Sequence, residues 1–127
     1  MNRRLLLTTV MATLALPGWA MDRSDTVQLT ADQITEILSG NTITGTWSGT
    51  SNTQYFAAGG MTMYLADGRP ADQGRWRANA DLNTYESWWQ MTNWVGYKVM
   101  MTNEGYAWAN GDTLEPFEVL EGKQVSW

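Results

Sequence analysis

From Thr42 onward, short runs of aromatic and β-branched residues alternate with clusters of Gly, Asn and Asp. Turn residues at this spacing leave room for strands but not for ordinary helices, and a spacing of ~8–12 residues is typical of a sandwich or barrel. We predict a mainly β fold of about eight short antiparallel strands in an up-and-down barrel, either closed or partly open. The predicted strands cover residues 42–47, 53–57, 61–66, 74–78, 84–91, 95–101, 106–109 and 116–120.

One short N-terminal helix precedes the strands. Thr30 and Gln33 have the spacing of a capping box, and Leu29 and Ile34 have that of a hydrophobic staple. An apolar stripe continues along the same segment, and a glycine follows it at the position that often ends a helix. The pattern predicts an amphipathic helix over about 31–39.

Residues 1–20 have the features of a signal peptide. Two arginines precede an apolar run too short to span a bilayer, and Gly-Trp-Ala ends the segment at Ala20. We predict cleavage after Ala20, which would leave a single domain over 21–127. This domain is expected to be periplasmic or secreted and not inserted in a membrane. An uncleaved anchor or a true start at Met21 are the alternatives.

Charge and composition exclude some functions. The net charge is −5, and no cluster of Lys or Arg offers a surface for nucleic acid. The chain has no cysteine, so its core must be held by packing rather than by disulfides. The 8 Trp, 5 Tyr and 2 Phe can supply that packing, because each buried aromatic ring removes a large apolar area from water.

The absence of histidine and cysteine also limits catalysis. Ser-His-Asp sites, Cys-His sites and ordinary zinc sites are excluded, and no nucleotide-binding motif occurs. A carboxylate-dependent hydrolase remains a remote alternative, since glycosidases need only two acidic groups. The candidate carboxylates are Glu86, Glu104, Glu115 and Glu118. We interpret them as solvated surface groups. We therefore predict that the protein is not an enzyme and needs no cofactor.

A copper site is a second alternative. Met61 and Met63 lie two residues apart on a predicted strand, so both sulfurs face the same side. Thioethers are soft ligands that suit Cu(I) and Ag(I). The competing interpretation is that these methionines fill gaps between rings. A third sulfur would have to come from Met91, Met100 or Met101.

Two adjacent tryptophans, Trp88 and Trp89, test the strand pattern. Neighbours on a strand point to opposite faces, so only one of the two can enter the core. Pairing 84–91 with 95–101 through a three-residue connection gathers the apolar residues on one face. This register places Trp89 inside and Trp88 outside, beside Lys98.

Aromatic rings are the candidate binding groups. The rings expected to be exposed are Trp88, Trp94 and Trp127, and such rings are typical of contacts with a protein partner, here one in the cell envelope. Inward rings would either fill the barrel or line a cavity for a small apolar ligand. The inward set is Tyr55, Tyr64, Trp76, Trp89, Tyr97 and Trp108, and the binding candidates are Trp88, Trp94, Tyr97 and Trp108.

The order of short motifs resembles a group of small exported proteobacterial proteins of unassigned function. The matching motifs are I-L-S-G-N-T-I-T-G (37–45), Q-Y-F (54–56), D-G-R (67–69), G-R-W-R (74–77), Y-E-S-W-W (85–89), G-Y-K-V (96–99) and F-E-V-L-E-G (117–122). The resemblance implies an exported β-domain similar to calycins and lipocalins, and it does not indicate which activity the domain has. Members often carry two cysteines at positions that correspond to Glu86 and Gly96, so their disulfide would be absent here.

Overall fold

The computed structural model describes residues 26–126, and the predicted signal peptide and Trp127 lie outside them. The described chain is mainly β, with one short helix and one antiparallel sheet. The helix, α1, is Ala31–Leu38. The strands are β1 (Val27–Gln28), β2 (Asn41–Trp47), β3 (Thr50–Phe56), β4 (Met61–Ala66), β5 (Asp72–Asn79), β6 (Thr84–Trp88), β7 (Val95–Tyr97), β8 (Val99–Thr102), β9 (Gly105–Asn110) and β10 (Thr113–Leu120).

The ten strands form a single curled sheet, a half-barrel, in the order β1-β8-β9-β10-β2-β3-β4-β5-β6-β7. This confirms the predicted fold class. Two features raise the strand number above eight. The two-residue strand β1 pairs with β8 and was not predicted, and the predicted strand 95–101 divides at Lys98. Before Lys98 the chain pairs with β6, and after it with β9.

The predicted helix is confirmed, including its cap. The Thr30 hydroxyl accepts the backbone N–H of Gln33, and the Gln33 side chain accepts the N–H of Thr30. Ile34 and Leu38 are fully buried. The helix packs against β2, β5 and β6. Asn83, in the turn before β6, fixes it in place by accepting the backbone N–H of Ala31 at 2.9 Å.

The helix therefore covers one end of the curled sheet, here called the helix end. The apolar core lies beneath it and joins residues from the helix and from most strands. Edge-to-face contacts place the Phe56 ring 5.6 Å from Trp76 and 5.8 Å from Tyr85. The core consists of Leu29, Ile34, Leu38, Ile43, Phe56, Trp76, Tyr85, Val99, Trp108, Phe117 and Val119.

The predicted hairpin of 84–91 and 95–101 has the right faces but the wrong connection. Tyr85 lies opposite Tyr97, so the apolar sets of the two strands do share a face. The connection is six residues long, 89–94, rather than three, and Met91 within it is 91% exposed instead of facing the core. The observed register is shifted by four residues from the predicted one, and because side chains alternate with a period of two, this even shift keeps the same side chains on each face.

The longer connection also changes the neighbours of Trp88. Trp88 lies opposite Arg75 of β5. In the observed register Glu86 lies opposite Gly96, which moves Lys98 toward the start of β6 and away from Trp88. The predicted placement of Trp88 beside Lys98 is therefore wrong.

Within residues 26–126, no helix has the length and apolar character needed to cross a membrane.

Candidate functional site

A cavity of ≈ 260 Å³ occupies the end of the sheet opposite the helix, here called the open end. Some of its lining residues lie next to the turns at 48–49 and 67–71 or in the connection 89–94, and the others lie farther along the strands. Six of the ten lining residues are aromatic. The lining is Trp47, Asn52, Gln54, Tyr64, Asp72, Tyr85, Ser87, Trp89, Tyr97 and Trp108.

Two aromatic pairs form the walls of this cavity. The Trp47 and Tyr97 ring centroids are 5.1 Å apart with their planes at 81°. Tyr64 and Trp89 form a second edge-to-face pair at 6.0 Å and 65°. Such pairs are favoured by the quadrupoles of the rings. The two rings of each pair are therefore held at a steep angle to each other, and all four rings line the same cavity.

The floor of the cavity is continuous with the core. Tyr85 lies 4.8 Å from Trp108, and both rings also line the cavity. Tyr85 also stacks on Trp76 of the core at 6.4 Å. The interior is therefore filled at the helix end and unfilled at the open end, and whether the cavity takes a ligand stays a prediction.

A short chain of polar groups lies on the floor. The Gln54 amide donates to the Thr62 hydroxyl at 2.9 Å and to the Tyr85 hydroxyl at 3.3 Å. The Trp89 indole N–H donates to Ser87 Oγ at 3.2 Å. Burial raises the pKa of Tyr85 far above its ordinary value, and the hydrogen bonds of Ser87 and Gln54 only partly oppose this shift. Tyr85 is therefore a neutral hydroxyl at physiological pH.

Gly74 leaves the space that the Trp89 indole occupies. A Cβ at this glycine would lie 2.4 Å from the Trp88 carbonyl oxygen and 2.5 Å from Cε3 of the Trp89 ring. Only a residue without a side chain lets the indole lie this close to the β5 backbone. No pattern in the sequence announces this role, because Gly74 stands in an otherwise regular strand.

One charged residue, Asp72, lines the cavity. It starts β5 and lies opposite Tyr64. Burial raises the pKa of Tyr64, and the nearby Arg69 guanidinium partly offsets this shift. A carboxylate and an exposed guanidinium thus both lie near the open end.

Two of the four predicted binding residues, Tyr97 and Trp108, line the cavity, together with Tyr64 and Trp89 of the inward set. Trp76 lies in the core instead. Tyr55 was expected inside and is not; it lies opposite Met63 on the outer face, with the Lys123 ammonium 5.8 Å from its ring.

Sequence reasoning missed Trp47 and Tyr85 as lining residues. The alternation within strand 84–91 contained the signal for Tyr85, which shares a face with Trp89. Trp47 is the last residue of its strand, where alternation has no following residue to confirm it.

The other two predicted binding residues, Trp88 and Trp94, lie outside the cavity on the outer face of the sheet. The Arg77 guanidinium lies 3.8 Å from the centroid of the Trp94 ring, a cation–π contact. Both indoles are partly exposed. An envelope protein as their partner stays a prediction.

The Glu86 carboxylate is held beside this contact. Arg77 Nε donates to it at 2.6 Å and the Asn79 amide at 2.9 Å. These hydrogen bonds, with that of Asn79 the stronger influence, lower the pKa of Glu86. The expected solvation of Glu86 is wrong, because the residue is only 9% exposed.

The expectation of a solvated carboxylate is also wrong for Glu115. It is buried on the inner face of β10, where its Oε2 accepts the Ser48 backbone N–H at 3.0 Å and the Asn110 amide at 2.9 Å. The carboxylate therefore joins two turns at the open end. Glu104 and Glu118 are exposed, as expected.

Met61 and Met63 lie on the outer face of β4, because Thr62 and Tyr64 between and after them face inward. Met100 and Met101 are on β8, five strands away in the sheet. Within residues 26–126 there is no cluster of three or more His, Cys, Asp or Glu suited to a metal. The copper site stays a prediction, with Met61 and Met63 as its ligands.

Comparisons with protein families, with curated proteins and with solved structures found no match to this chain.

Proposed function

We propose that the protein is an exported, non-enzymatic binding protein that takes a small, largely apolar ligand into the cavity at its open end. The observation that carries this proposal is the aromatic lining of a cavity that the rest of the core leaves unfilled. Ligand sites are typically concave, mostly apolar and equipped with a few polar groups that orient the ligand. Gln54, Ser87 and Asn52 provide such groups.

The cavity volume limits the size of the ligand. Drug-sized molecules occupy cavities of roughly 300–1,000 Å³, whereas an apolar cavity of about 150 Å³ can hold benzene. A volume of ≈ 260 Å³ lies between these values. It suits a compact ligand of one or two rings or a short branched chain.

The polar groups of the lining support binding rather than catalysis. Acid–base chemistry needs a group that titrates near the working pH and lies within reach of the substrate. The buried hydroxyl of Tyr85 has its pKa moved away from that range. Asp72 is the one carboxylate in the lining, and a glycosidase mechanism needs two.

Export is proposed from the N-terminal segment. Its test is the mass of the protein recovered from the envelope fraction, which we expect to correspond to a chain starting at Met21. A mass that includes residues 1–20 would contradict cleavage.

Binding is tested by titrating the protein with a set of compact one- and two-ring compounds, using calorimetry and ligand-observed NMR. We expect saturable binding that Trp89→Ala weakens by about tenfold, since a lost ring contact is worth roughly 1–2 kcal/mol. Trp88→Ala is the matched control, because it removes the neighbouring indole from the outer face. Equal weakening by both changes, or no saturable binding by any compound, would argue against the cavity as the site.

A further inference from the structure

We infer that the cavity selects a small organic ammonium ion, such as one bearing methyl groups on nitrogen. This inference rests on the proposed function and names the class of its ligand. A methylated ammonium ion has an apolar surface and a positive charge, so it fits an aromatic lining as well as a hydrocarbon of the same shape does.

The arrangement of the rings is the first argument. Cations are attracted to the faces of Trp and Tyr, and several rings set at steep angles can surround one ammonium group. The walls supply such a set, with Trp47 and Tyr97 at 81° and Tyr64 and Trp89 at 65°. Three-sided or four-sided enclosure by rings is the arrangement that recognises quaternary ammonium ligands.

The charge of the lining is the second argument. Asp72 is its one charged residue, and its carboxylate makes no hydrogen bond or ion pair with any side chain of residues 26–126. An ammonium ligand would supply the missing partner. A carboxylate or phosphate ligand would meet this negative charge, and no Lys or Arg belongs to the lining to offset it.

A second negative charge lies close to the cavity. Glu115 faces inward opposite Trp108, and its hydrogen-bond donors, a backbone N–H and an amide, are neutral. Within residues 26–126, no Lys or Arg forms an ion pair with it. The positive charge of Arg69, near Tyr64, opposes the binding of a cation, but Arg69 is exposed and lies outside the lining.

The test compares choline with 3,3-dimethylbutan-1-ol, its neutral analogue of the same shape, by calorimetry and NMR titration at fixed ionic strength. We expect choline to bind about tenfold more tightly, which corresponds to the cation–π attraction of a largely desolvated cage.

Two variants test the role of charge. Asp72→Asn should weaken choline binding by about threefold to fivefold, as for a partly exposed ion pair, without changing the binding of the neutral analogue. Arg69→Gln should strengthen choline binding. Asp81→Asn is the control, since it removes the same charge from the helix end and should leave both ligands unaffected.

The outcomes separate the two proposals. Equal affinity for choline and its neutral analogue would overturn the inference while leaving the proposed apolar cavity in place. Failure of choline to bind at all would also overturn it, and the proposed function would then depend on the ring-compound titration. Weakening of choline binding by Asp81→Asn as strongly as by Asp72→Asn would reduce the effect to net charge and overturn the assigned site.

Discussion

At the scale of single residues, the shape of the open end depends on small residues as much as on the large aromatic ones. Gly74 gives the Trp89 indole its place against β5, and Ser87 accepts the indole N–H. A bulkier residue at either position would push the ring into the cavity or out of it. The cavity wall is therefore fixed by small residues around one large one.

Gly74→Ala should destabilise the protein by about 2–3 kcal/mol, because its Cβ would collide with a backbone carbonyl and a packed ring that cannot both move away. Gly96→Ala is the control. Its Cβ would meet only ordinary contacts at 3.5–3.6 Å, and it should cost less than about 1 kcal/mol. Urea unfolding measures both values, and equal costs would contradict the packing of Trp89 on Gly74.

Glu86 should make stability depend on acid. Its pKa in the folded protein is lower than its ordinary value of 4.5, so the unfolded chain binds a proton more readily. The stabilisation is present above pH 4.5 and is lost as the pH falls through the lowered pKa. The difference in unfolding free energy between the wild type and Glu86→Gln should therefore be constant near pH 7 and shrink below about pH 4.5.

The same measurement on Glu118→Gln provides the control, since the exposed Glu118 side chain makes no hydrogen bond or ion pair within residues 26–126. A difference for Glu86→Gln that grows as the pH falls would contradict the assigned role of Arg77 and Asn79.

At the scale of elements, strands β6 and β7 are joined by one of the short ladders of the sheet. Their ladder contains three residue pairs, fewer than those of β2 with β3 or β5 with β6. Glu86 and Gly96 form the central pair. Directly opposite residues of antiparallel strands have Cα atoms about 4.5–5.5 Å apart, which is within the range that a disulfide can bridge.

The double variant Glu86→Cys/Gly96→Cys should therefore form a disulfide under oxidising conditions. Closing this short loop should make the oxidised form about 2–3 kcal/mol more stable than the reduced form of the same variant. That comparison separates the cross-link from the lost contacts of Glu86. Free thiols that persist after oxidation, measured by mass spectrometry after alkylation, would contradict the register.

The elements also show how far the sequence predicts the fold. The capped helix and strand β4 were predicted almost to the residue, because their capping box and alternation are local. The split at Lys98 could not be predicted, since it depends on which strand lies on each side after the sheet curls.

The cavity could be predicted only in part. The alternation of side chains put Tyr97 and Trp108 inside. Whether the inward rings touch or leave a space between them is decided by the packing of strands that are distant in sequence.

At the scale of the whole molecule, stability should vary along the axis of the sheet. The helix end has a filled core under α1, with Phe56 and Ile34 fully buried. The open end has a cavity and partly exposed rings. Regions with fewer buried apolar contacts open at lower free energy.

Hydrogen exchange should reveal this gradient. Strand amides near Ile43 and Phe56 should exchange most slowly, and those near the turns at 48–49 and 67–71 and in the connection 89–94 most quickly. A bound ligand should slow exchange mainly at the open end. Uniform protection, or ligand effects confined to the helix end, would contradict the placement of the cavity.

The described chain starts and finishes at the helix end. Thr26 precedes the short strand that pairs with β8 near its final turn, and near the other terminus the backbone N–H of Gln124 donates to the Thr42 hydroxyl at 2.9 Å. A solid support attached near Thr26 or Gln124 would therefore lie at the end of the molecule opposite the entrance of the cavity. Molecules immobilised through these residues would all present that entrance to the solution, so a surface layer of this kind would offer every cavity to a ligand of the proposed class.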